Sequence, residues 1–342
     1  MKLIIQIPCL NEEHTLRQTL DDLPRAIPGI DNIEILVIDD GSTDGTVQVA
    51  KDWGVDYVMS FPRNLGLAKA FTNGLNTCLM LGADIIVNTD ADNQYRSDYI
   101  QDLVRPILDH KSEIVIGCRP IEEITEFSWI KKKLQRLGSK MINLLAGTSV
   151  PDVTSGFRAF SRSAAMQLNI ISHFTYTLET IIQAGQRLIP IAHVDIETNP
   201  KTRESRLFRN IPTYLYRSTT TTLMVFFRFK PMPTCLALGS VFGLAGLIPC
   251  LRFLYFVFFG NADGYVQSLI LGVTLLIFGA ICFLMGFLAD QNAANRQLTE
   301  ETVYRMRQLS FSENFLWPEI PNLVHRRTPP GERAHVRHIG AL

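Results

Sequence analysis

The sequence lacks three features that often identify a protein class. Its six cysteines lie far apart and form no C-x-x-C pair, which argues against a disulfide framework and against a zinc site. No G-x-G-x-x-G follows the first apolar run and no G-x-x-x-x-G-K-[ST] occurs, so neither a dinucleotide enzyme nor a P-loop NTPase is expected. Basic and acidic residues balance at 33 each, so net charge gives no reason to expect a nucleic-acid partner.

Two long apolar stretches lie near the C-terminus. Residues 234–259 carry a single charge and residues 265–289 carry none, and each exceeds the roughly 20 residues that cross a hydrocarbon core. They predict two transmembrane helices, with a buried helical hairpin of a soluble domain as the alternative. Basic residues flank the pair but are missing from the loop between, so the positive-inside rule predicts an integral membrane protein with its main domain and both termini in the cytoplasm. The N-terminus does not have the pattern of a cleaved signal peptide.

The N-terminal part of the chain alternates strand and helix signals. Continuous Ile/Val runs predict strands at 3–7, 33–38, 84–88 and 114–116, and amphipathic spacing predicts helices at 12–23, 43–53, 67–80 and 99–108. Further on, helices are predicted at 128–146 and 177–186 and a strand at 189–196. This alternation indicates an α/β fold with a mostly parallel sheet covered on both faces, in which ligands bind beyond the carboxyl ends of the strands.

Polar clusters follow three of the predicted strands. They are Pro8-Cys9-Leu10-Asn11-Glu12, Asp39-Asp40 and Asp90-Ala91-Asp92, the last with Gln94 two residues beyond. Alternate carboxylates supply the hard oxygen ligands that Mg²⁺ and Mn²⁺ prefer, usually together with substrate phosphates. Asp-x-Asp is also ordinary turn chemistry, but three clusters at one rim of a sheet favour a metal-assisted nucleotide-diphosphate site.

The order of the motifs resembles that of a known family. The matching motifs are Pro8-Cys9-Leu10-Asn11-Glu12-Glu13, Asp39-Asp40-Gly41-Ser42-Thr43-Asp44, Asn64-x-Gly66, Asp90-Ala91-Asp92-x-Gln94 and Ser155-Gly156-Phe157-Arg158. Over about residues 1–230 the chain resembles family 2 glycosyltransferases of the GT-A fold. With its C-terminal apolar pair it is similar to the polyprenyl-phosphate glycosyltransferases, relatives of dolichyl-phosphate mannose synthase. The Q-x-x-R-W of processive synthases is missing, which argues against a polysaccharide synthase.

The resemblance implies four regions. A cytoplasmic, Rossmann-like GT-A catalytic domain is expected at 1–200 and an acceptor loop with juxtamembrane interface helices at 201–230. Two transmembrane helices are expected at 231–290 and a partly disordered cytoplasmic tail at 291–342. For the helix at 207–216, packing in the core of the soluble domain is the alternative to lying in the membrane interface. An oligomer formed through the spans is compatible with the sequence, which gives no support for it.

The resemblance also assigns roles at the nucleotide site. The nucleotide-binding residues it implies are Pro8, Asn11, Glu12, Asp39, Lys69, Asp90 and Ala91. Asp92, Gln94 and Asp90 are the implied ligands of Mg²⁺ or Mn²⁺. From the residues alone, Glu12 is equally a charge at a helix N-terminus and Asp39 equally a turn cap. Lys69 lies a turn past Gly66, within reach of a phosphate, but its position favours a solvated helix lysine.

Three residues are implied in catalysis: Asp92, Asp152 and Arg119. Arg119 resembles an arginine that contacts the diphosphate, and Asp152 the family's candidate active-site acid. The second ionisation of a phosphate monoester lies near pH 6, so a lipid-phosphate nucleophile is mostly a dianion in the cytoplasm. A strong general base is then hardly needed, and we expect Asp152 to position a cation or the acceptor.

Positive charge is expected at the acceptor phosphate. Residues 201–230 hold seven basic residues and one acidic residue. The acceptor-phosphate residues implied are Arg136, Lys201, Arg203 and Arg206; Arg136 also matches a family pattern with Ser139 and Asn143. The alternatives are a basic membrane-facing surface for Arg136 and nonspecific attraction to anionic lipid for the others. The loop lacks the glycine that relatives often carry before their Glu-Ser-Lys segment, which leaves its flexibility open.

The expected function is inverting, metal-dependent transfer of a sugar from a nucleotide sugar, UDP-linked by resemblance, to a polyprenyl phosphate of the undecaprenyl type. A GDP-mannose-using activity is one alternative. A sugar nucleotidyltransferase would need a glycine-rich loop after the first strand, which the sequence lacks. A non-enzymatic membrane scaffold that retained the fold would be marked by loss of Asp92 or Gln94, and both are present.

Overall fold

The structure is a computed structural model that describes residues 1–120, 129–170, 176–200, 231–260, 266–310, 320 and 322–327. The expected acceptor segment with Lys201, Arg203 and Arg206, and the expected helix at 207–216, lie outside the described residues. The chain divides into two compact units, Met1–Leu207 together with Tyr304–Leu342, and Phe208–Val303.

The strands of the first unit are β1 Lys2–Cys9, β2 Asn32–Asp39, β3 Tyr57–Ser60, β4 Ile85–Asn88, β5 Ile114–Cys118, β6 Arg158–Ser161, β7 Ile191–Asp195 and β8 Leu323–Arg326. The helices are α1 Leu16–Asp21, α2 Thr46–Trp53, α3 Leu67–Met80, α4 Ile100–Leu108, α5 Trp129–Ala146, α6 Arg162–Gln167, α7 Thr177–Gln186, α8 Pro231–Phe259 and α9 Val266–Ser310. A 3₁₀ turn, Ser97–Tyr99, precedes α4.

All eight strands join one mixed sheet in the order β7-β5-β6-β4-β1-β2-β3-β8. β6 runs antiparallel to β4 and β5, β8 runs antiparallel to β3, and the other neighbours are parallel. The expectation of an α/β fold with a mostly parallel sheet is confirmed.

The core lies on both faces of the central strands. Leu3, Ile4, Ile5 and Ile7 of β1 are fully buried, as the apolar run predicts for a strand covered by helices on both sides. α3 packs closely on β1 and β2 because Gly74 faces them: a Cβ there would come within 2.6 Å of the Gln6 side-chain oxygen. The apolar runs therefore fix the sheet and bring its carboxyl ends to one rim.

Three short strands were not predicted. β3, β6 and β8 have four residues each, as β4 has, but they mix polar and apolar residues where β4 carries the continuous apolar run Ile85-Ile86-Val87. β8 lies in the segment expected to be partly disordered, yet it pairs with the edge of β3, where the Ser60 N–H donates to the Asn322 carbonyl at 3.1 Å and the Arg327 N–H to that of Asp56 at 2.7 Å. The C-terminal strand thus covers an otherwise open sheet edge.

The second unit contains α8 and most of α9. Both helices are long and apolar enough to span a membrane, and only 6% and 17% of their apolar windows are buried. That exposure disagrees with the alternative of a core hairpin in a soluble domain. α9 continues past the predicted end at residue 289, since residues 290–310 contain neither glycine nor proline and Arg296 pairs with Glu300 one turn away at 3.3 Å.

Glycines at seven-residue intervals let α8 and α9 touch through their backbones. A Cβ at Gly246 would lie 2.8 Å from the Gly272 carbonyl oxygen, and one at Gly239 would lie 3.0 Å from that of Gly279. Small residues at such positions allow the close approach on which van der Waals packing between transmembrane helices depends. Gly243 differs, since a Cβ there meets nothing within 4 Å.

Gly246→Ala is therefore expected to weaken the hairpin by about 1–3 kcal/mol through overpacking, whereas Gly243→Ala on the same helix should be tolerated. Unfolding of the purified protein by SDS, titrated into a mild detergent, measures both. Equal midpoints for the two variants would contradict a hairpin held by glycine contacts.

Candidate active site

Three loops meet at the carboxyl rim of the sheet. Cys9 at the end of β1 pairs in register with Asp39 at the end of β2, and Gln6 of β1 pairs with Asn88 at the end of β4. The loops that follow therefore begin side by side, as the sequence predicts.

The loop after β1 is tied to the loop after β2. Asn11 adopts a left-handed φ of 54°; its N–H donates to the Ser42 hydroxyl at 2.9 Å and its side-chain oxygen accepts from the Thr43 N–H at 2.8 Å. The Glu12 N–H donates to the Thr46 hydroxyl at 2.8 Å, and the Glu12 carboxylate accepts from the Thr15 hydroxyl at 2.8 Å. These bonds explain why α1 begins at Leu16 and not at Glu12.

Two buried aspartates follow β2. Asp39 accepts hydrogen bonds from the Ser42 N–H at 2.9 Å and from the Ser60 hydroxyl, which fits the turn-cap alternative without excluding a nucleoside contact. Asp40, to which the sequence analysis gave no role of its own, accepts from the N–H groups of Leu65 and Gly66 at 2.8 and 2.9 Å. Burial raises the pKa of Asp40 while these two donors oppose the rise. Asp40 therefore fixes the start of α3.

The Asp-x-Asp loop follows β4 and forms a compact turn. The Asp92 carboxylate accepts from the Gln94 N–H at 3.2 Å, and the carbonyl of buried Ala91 accepts from the Thr19 hydroxyl at 3.0 Å. Asn93 between the two implied ligands has a left-handed φ of 54°. Asp90, Asp92 and Gln94 are all partly exposed at the rim.

Gly156 packs directly against Asp90. A Cβ on Gly156 would lie 3.2 Å from a carboxylate oxygen of Asp90 and 2.8 Å from the Tyr176 hydroxyl. The Gly156 N–H donates to the Tyr95 hydroxyl at 3.1 Å, and the Asn88 amide donates to the Gly156 carbonyl at 2.8 Å. The Ser-Gly-Phe-Arg motif thus supports the carboxylate loop from behind. Tyr95, Asn88 and Tyr176 were not singled out from the sequence, although Tyr95 directly follows Gln94.

Arg119 and Asp152 form a buried ion pair. The Arg119 Nε donates to the Asp152 carboxylate at 2.7 Å and its Nη2 to the Thr154 hydroxyl at 3.1 Å, while Asp152 is fully buried and also accepts from the Thr154 N–H and hydroxyl. Burial alone would raise the pKa of Asp152, but the charge and hydrogen bond of Arg119 and the Thr154 donors hold it below its usual value. Burial acts to lower the pKa of Arg119, but nearby Tyr95, Asp152 and Asp90 raise it above its usual value. Arg119 therefore remains a cation. Both oxygens of Asp152 are therefore engaged within the protein.

Arg158 organises the segment that carries Asp152 and Gly156. Its fully buried guanidinium donates to the carbonyls of Ser155, Val153 and Thr177 at 2.8, 3.0 and 2.8 Å and to the Thr180 hydroxyl. The first two bonds hold the loop before β6, and the last two hold it to the start of α7. Burial lowers the pKa of Arg158, while nearby Tyr176 and Asp152 act to raise it.

The described residues contain no cluster of three or more His, Cys, Asp or Glu side chains that could hold a metal ion. The set at the rim is smaller: Asp90 and Asp92 offer carboxylates and Gln94 an amide oxygen. This all-oxygen set suits Mg²⁺ or Mn²⁺, which are commonly held by one or two carboxylates plus substrate phosphates. The donors present therefore fit a divalent ion that arrives with a diphosphate.

The remaining residues that the resemblance implies include Pro8, Lys69, Arg136 and Asn143. Pro8 is buried in β1. The pairing of β1 with β4 ends before it, at Gln6, so the N–H that proline lacks is not needed for a hydrogen bond to β4. Lys69 is exposed on α3 and Arg136 is exposed on α5. Asn143 closes the turn after α5, where its side chain bonds both the N–H and the carbonyl of Val150.

The comparisons with known proteins agree with this architecture. Residues 4–168 match the family described as "Glycosyl transferase family 2". The UDP-N-acetylglucosamine–dolichyl-phosphate N-acetylglucosaminyltransferase of Methanococcus voltae is 32% identical over 56% of this chain and 83% of that relative. The undecaprenyl-phosphate mannosyltransferase of Micrococcus luteus is 28% identical over 58% of this chain and 85% of that relative.

Solved structures of glucosyl-3-phosphoglycerate synthase from Mycobacterium tuberculosis share the fold. One, in complex with Mn²⁺, UDP and glucosyl-3-phosphoglycerate, has a TM-score of 0.52 and 21% identity, and covers 66% of this chain and 78% of that one. The sheet and its rim define a glycosyltransferase of the GT-A fold. The chain belongs to glycosyltransferase family 2, and its relatives include enzymes that act on polyprenyl phosphates.

Gly156→Ala should displace Tyr176 or Asp90, since the new methyl group would overlap the Tyr176 hydroxyl and press on the Asp90 carboxylate. A misplacement of about 1 Å near the reacting groups costs on the order of 100-fold in rate, so a loss of that size in sugar transfer is expected. Gly138→Ala on α5 is the matched control, because a Cβ there meets nothing within 4 Å. Wild-type transfer by Gly156→Ala would contradict the support of Asp90 by this motif.

Proposed function

We propose that the protein transfers a sugar, with inversion, from a nucleotide sugar to a polyprenyl phosphate of the undecaprenyl type at the cytoplasmic face of a membrane. The observation that carries the proposal is the rim itself, where the Asp90–Gln94 loop and the buried Arg119–Asp152 pair are braced by one segment, Ser155–Arg158. The two membrane-length apolar helices and the relatives named for polyprenyl-phosphate acceptors support the choice of acceptor.

Asp92 and Gln94, with Asp90 beside them, would hold Mg²⁺ or Mn²⁺ against the donor diphosphate. The ion supplies positive charge that stabilises the departing diphosphate. Arg119, held by Asp152, adds a fixed guanidinium on the same side, where preorganised charge stabilises the transition state most effectively. Pro8, Asn11, Glu12 and Asp39 would bind the nucleoside, with Ala91 and Lys69 near the phosphates.

The acceptor is a phosphate oxygen that attacks the anomeric carbon as the bond to the nucleotide diphosphate breaks. A single in-line displacement of this kind inverts the configuration and needs no enzyme nucleophile. Since the acceptor is already mostly a dianion at neutral pH, no general base is required. Arg136, Lys201, Arg203 and Arg206 would bind the acceptor phosphate, because arginine forks match phosphate oxygens.

UDP is the favoured nucleotide. The archaeal relative is named for a UDP-sugar, and the solved structures of similar fold include UDP complexes. A GDP-mannose-using activity is the second candidate, since two relatives are named for the transfer of mannose or the synthesis of polyprenol monophosphomannose.

A transfer assay tests the proposal. Purified protein in detergent is given a polyprenyl phosphate, Mn²⁺ or Mg²⁺ and a panel of UDP- and GDP-sugars. Metal-dependent formation of a lipid-linked sugar from one donor is expected, with loss of about 100-fold or more in Asp92→Ala. Nucleotide binding without transfer from any donor would contradict the proposed acceptor, and no nucleotide binding at all would favour a scaffold.

Asp152→Asn should lower the transfer rate about 10- to 100-fold by loosening Arg119. The folded-state pKa of Asp152 is lowered, so any stability from its ionised form is present above the unfolded value near 3.9 and is lost only as pH falls through the lower folded value. Asp152 is therefore ionised throughout pH 6–9, and its substitution should leave the shape of the kcat/KM profile unchanged there.

Thr154→Val is the control for Asp152→Asn, because it removes the hydroxyl that bonds Asp152 and Arg119 but keeps the carboxylate and its ion pair. A milder loss of rate is expected from it. A limb of the pH profile that moves in Asp152→Asn and not in Thr154→Val would show that Asp152 transfers a proton.

A further inference from the structure

The segment that follows β7 runs along the implied metal-binding loop. The Asn199 N–H donates to the Gln94 carbonyl at 2.9 Å, and the Asn199 side-chain amide donates to the Asn93 carbonyl at 2.9 Å. Thr198 forms an antiparallel bridge with Tyr95. Thus one residue from a distant part of the chain binds the two peptide carbonyls next to Gln94.

We propose that Asn199 is a positioning residue for the metal-binding loop, which it holds in the conformation that directs Asp92 and Gln94 at one ion. The inference rests on the proposed function, since it assumes that Asp92 and Gln94 bind a divalent ion with a nucleotide diphosphate.

Asn199 bonds the residue at which the loop turns. Asn93 lies between the two ligands with a left-handed φ of 54°, a conformation that asparagine adopts more readily than most non-glycine residues. Its side chain is held on the other side by the Asp22 carboxylate at 2.9 Å. Asn199 thus binds the backbone carbonyl of Asn93, and Asp22 binds its side-chain amide. Asn93 is the residue between Asp92 and Gln94, so fixing its backbone helps to fix the relative direction of their side chains.

The ion pair between the two segments is weaker. Arg96 Nη1 donates to the Glu197 carboxylate at 2.7 Å, but Glu197 is 70% exposed and Arg96 is 40% exposed. An exposed pair of this kind contributes little. Asn199 is therefore the contact whose loss should matter, and its effect should appear in metal binding.

The test is a titration of Mn²⁺ into the full-length protein in detergent with saturating UDP, and separately with GDP. Ion bound by the protein is measured from the loss of the free Mn²⁺ electron paramagnetic resonance signal beyond that caused by the same concentration of nucleotide alone. Asn199→Ala should weaken Mn²⁺ binding about 5-fold, the effect of one lost hydrogen bond. Asn199→Asp should weaken it at least as much, because a carboxylate would face the Asn93 carbonyl in place of the donor.

Asn32→Ala is the matched control, since Asn32 is exposed at the opposite end of β2. Thermal unfolding without metal shows that each variant is folded; if Asn199→Ala is not, the isosteric Asn199→Asp carries the test. Wild-type Mn²⁺ affinity in the folded Asn199 variants, with or without a lower Tm, would overturn the positioning role. Failure of the wild type to bind Mn²⁺ with either nucleotide would overturn the proposed function as well.

Discussion

A single buried guanidinium holds the active-site rim together. Removing the charge of Arg158 from water costs several kcal/mol, and its four acceptors are neutral oxygens, three of them carbonyls. Those carbonyls belong to two chain segments that would otherwise have unpaired polar groups in the core. Burying Arg158 is therefore costly, but its hydrogen bonds fix the geometry of the loop before β6.

Each element of the site depends on that loop. Asp152 at its start orients Arg119, and Gly156 near its end accommodates Asp90 and bonds Tyr95. The rim is therefore braced from two directions, by Arg158 from inside the sheet and by Asn199 from the segment after β7. A charged transition state gains most from groups that do not have to reorganise, and this arrangement makes the acidic loop and its neighbouring arginine rigid before any substrate arrives.

Much of the fold could be predicted from the sequence because its strong signals are local. The apolar runs of β1, β2, β4 and β5 were each long enough to mark a buried strand, and α3 was predicted with the bounds it has. β6 was missed since it begins with Arg158, which looks like a surface residue until the packing around it is known. The carboxylates of the rim could be found from their positions after strands. The bond from Asn199 to Asn93 could not, because it depends on the strand order that brings the end of β7 toward β4.

The last strand of the sheet is synthesised after both apolar helices. β1 to β7 leave the ribosome before either apolar helix, whereas β8 follows both. Until β8 has been synthesised, the backbone groups of β3 form an unprotected edge, the kind of surface on which other strands can add. The sheet is thereby completed only after both membrane-length helices have been synthesised, so a chain that stalls between these helices and β8 would present this open edge to the cell's quality-control machinery.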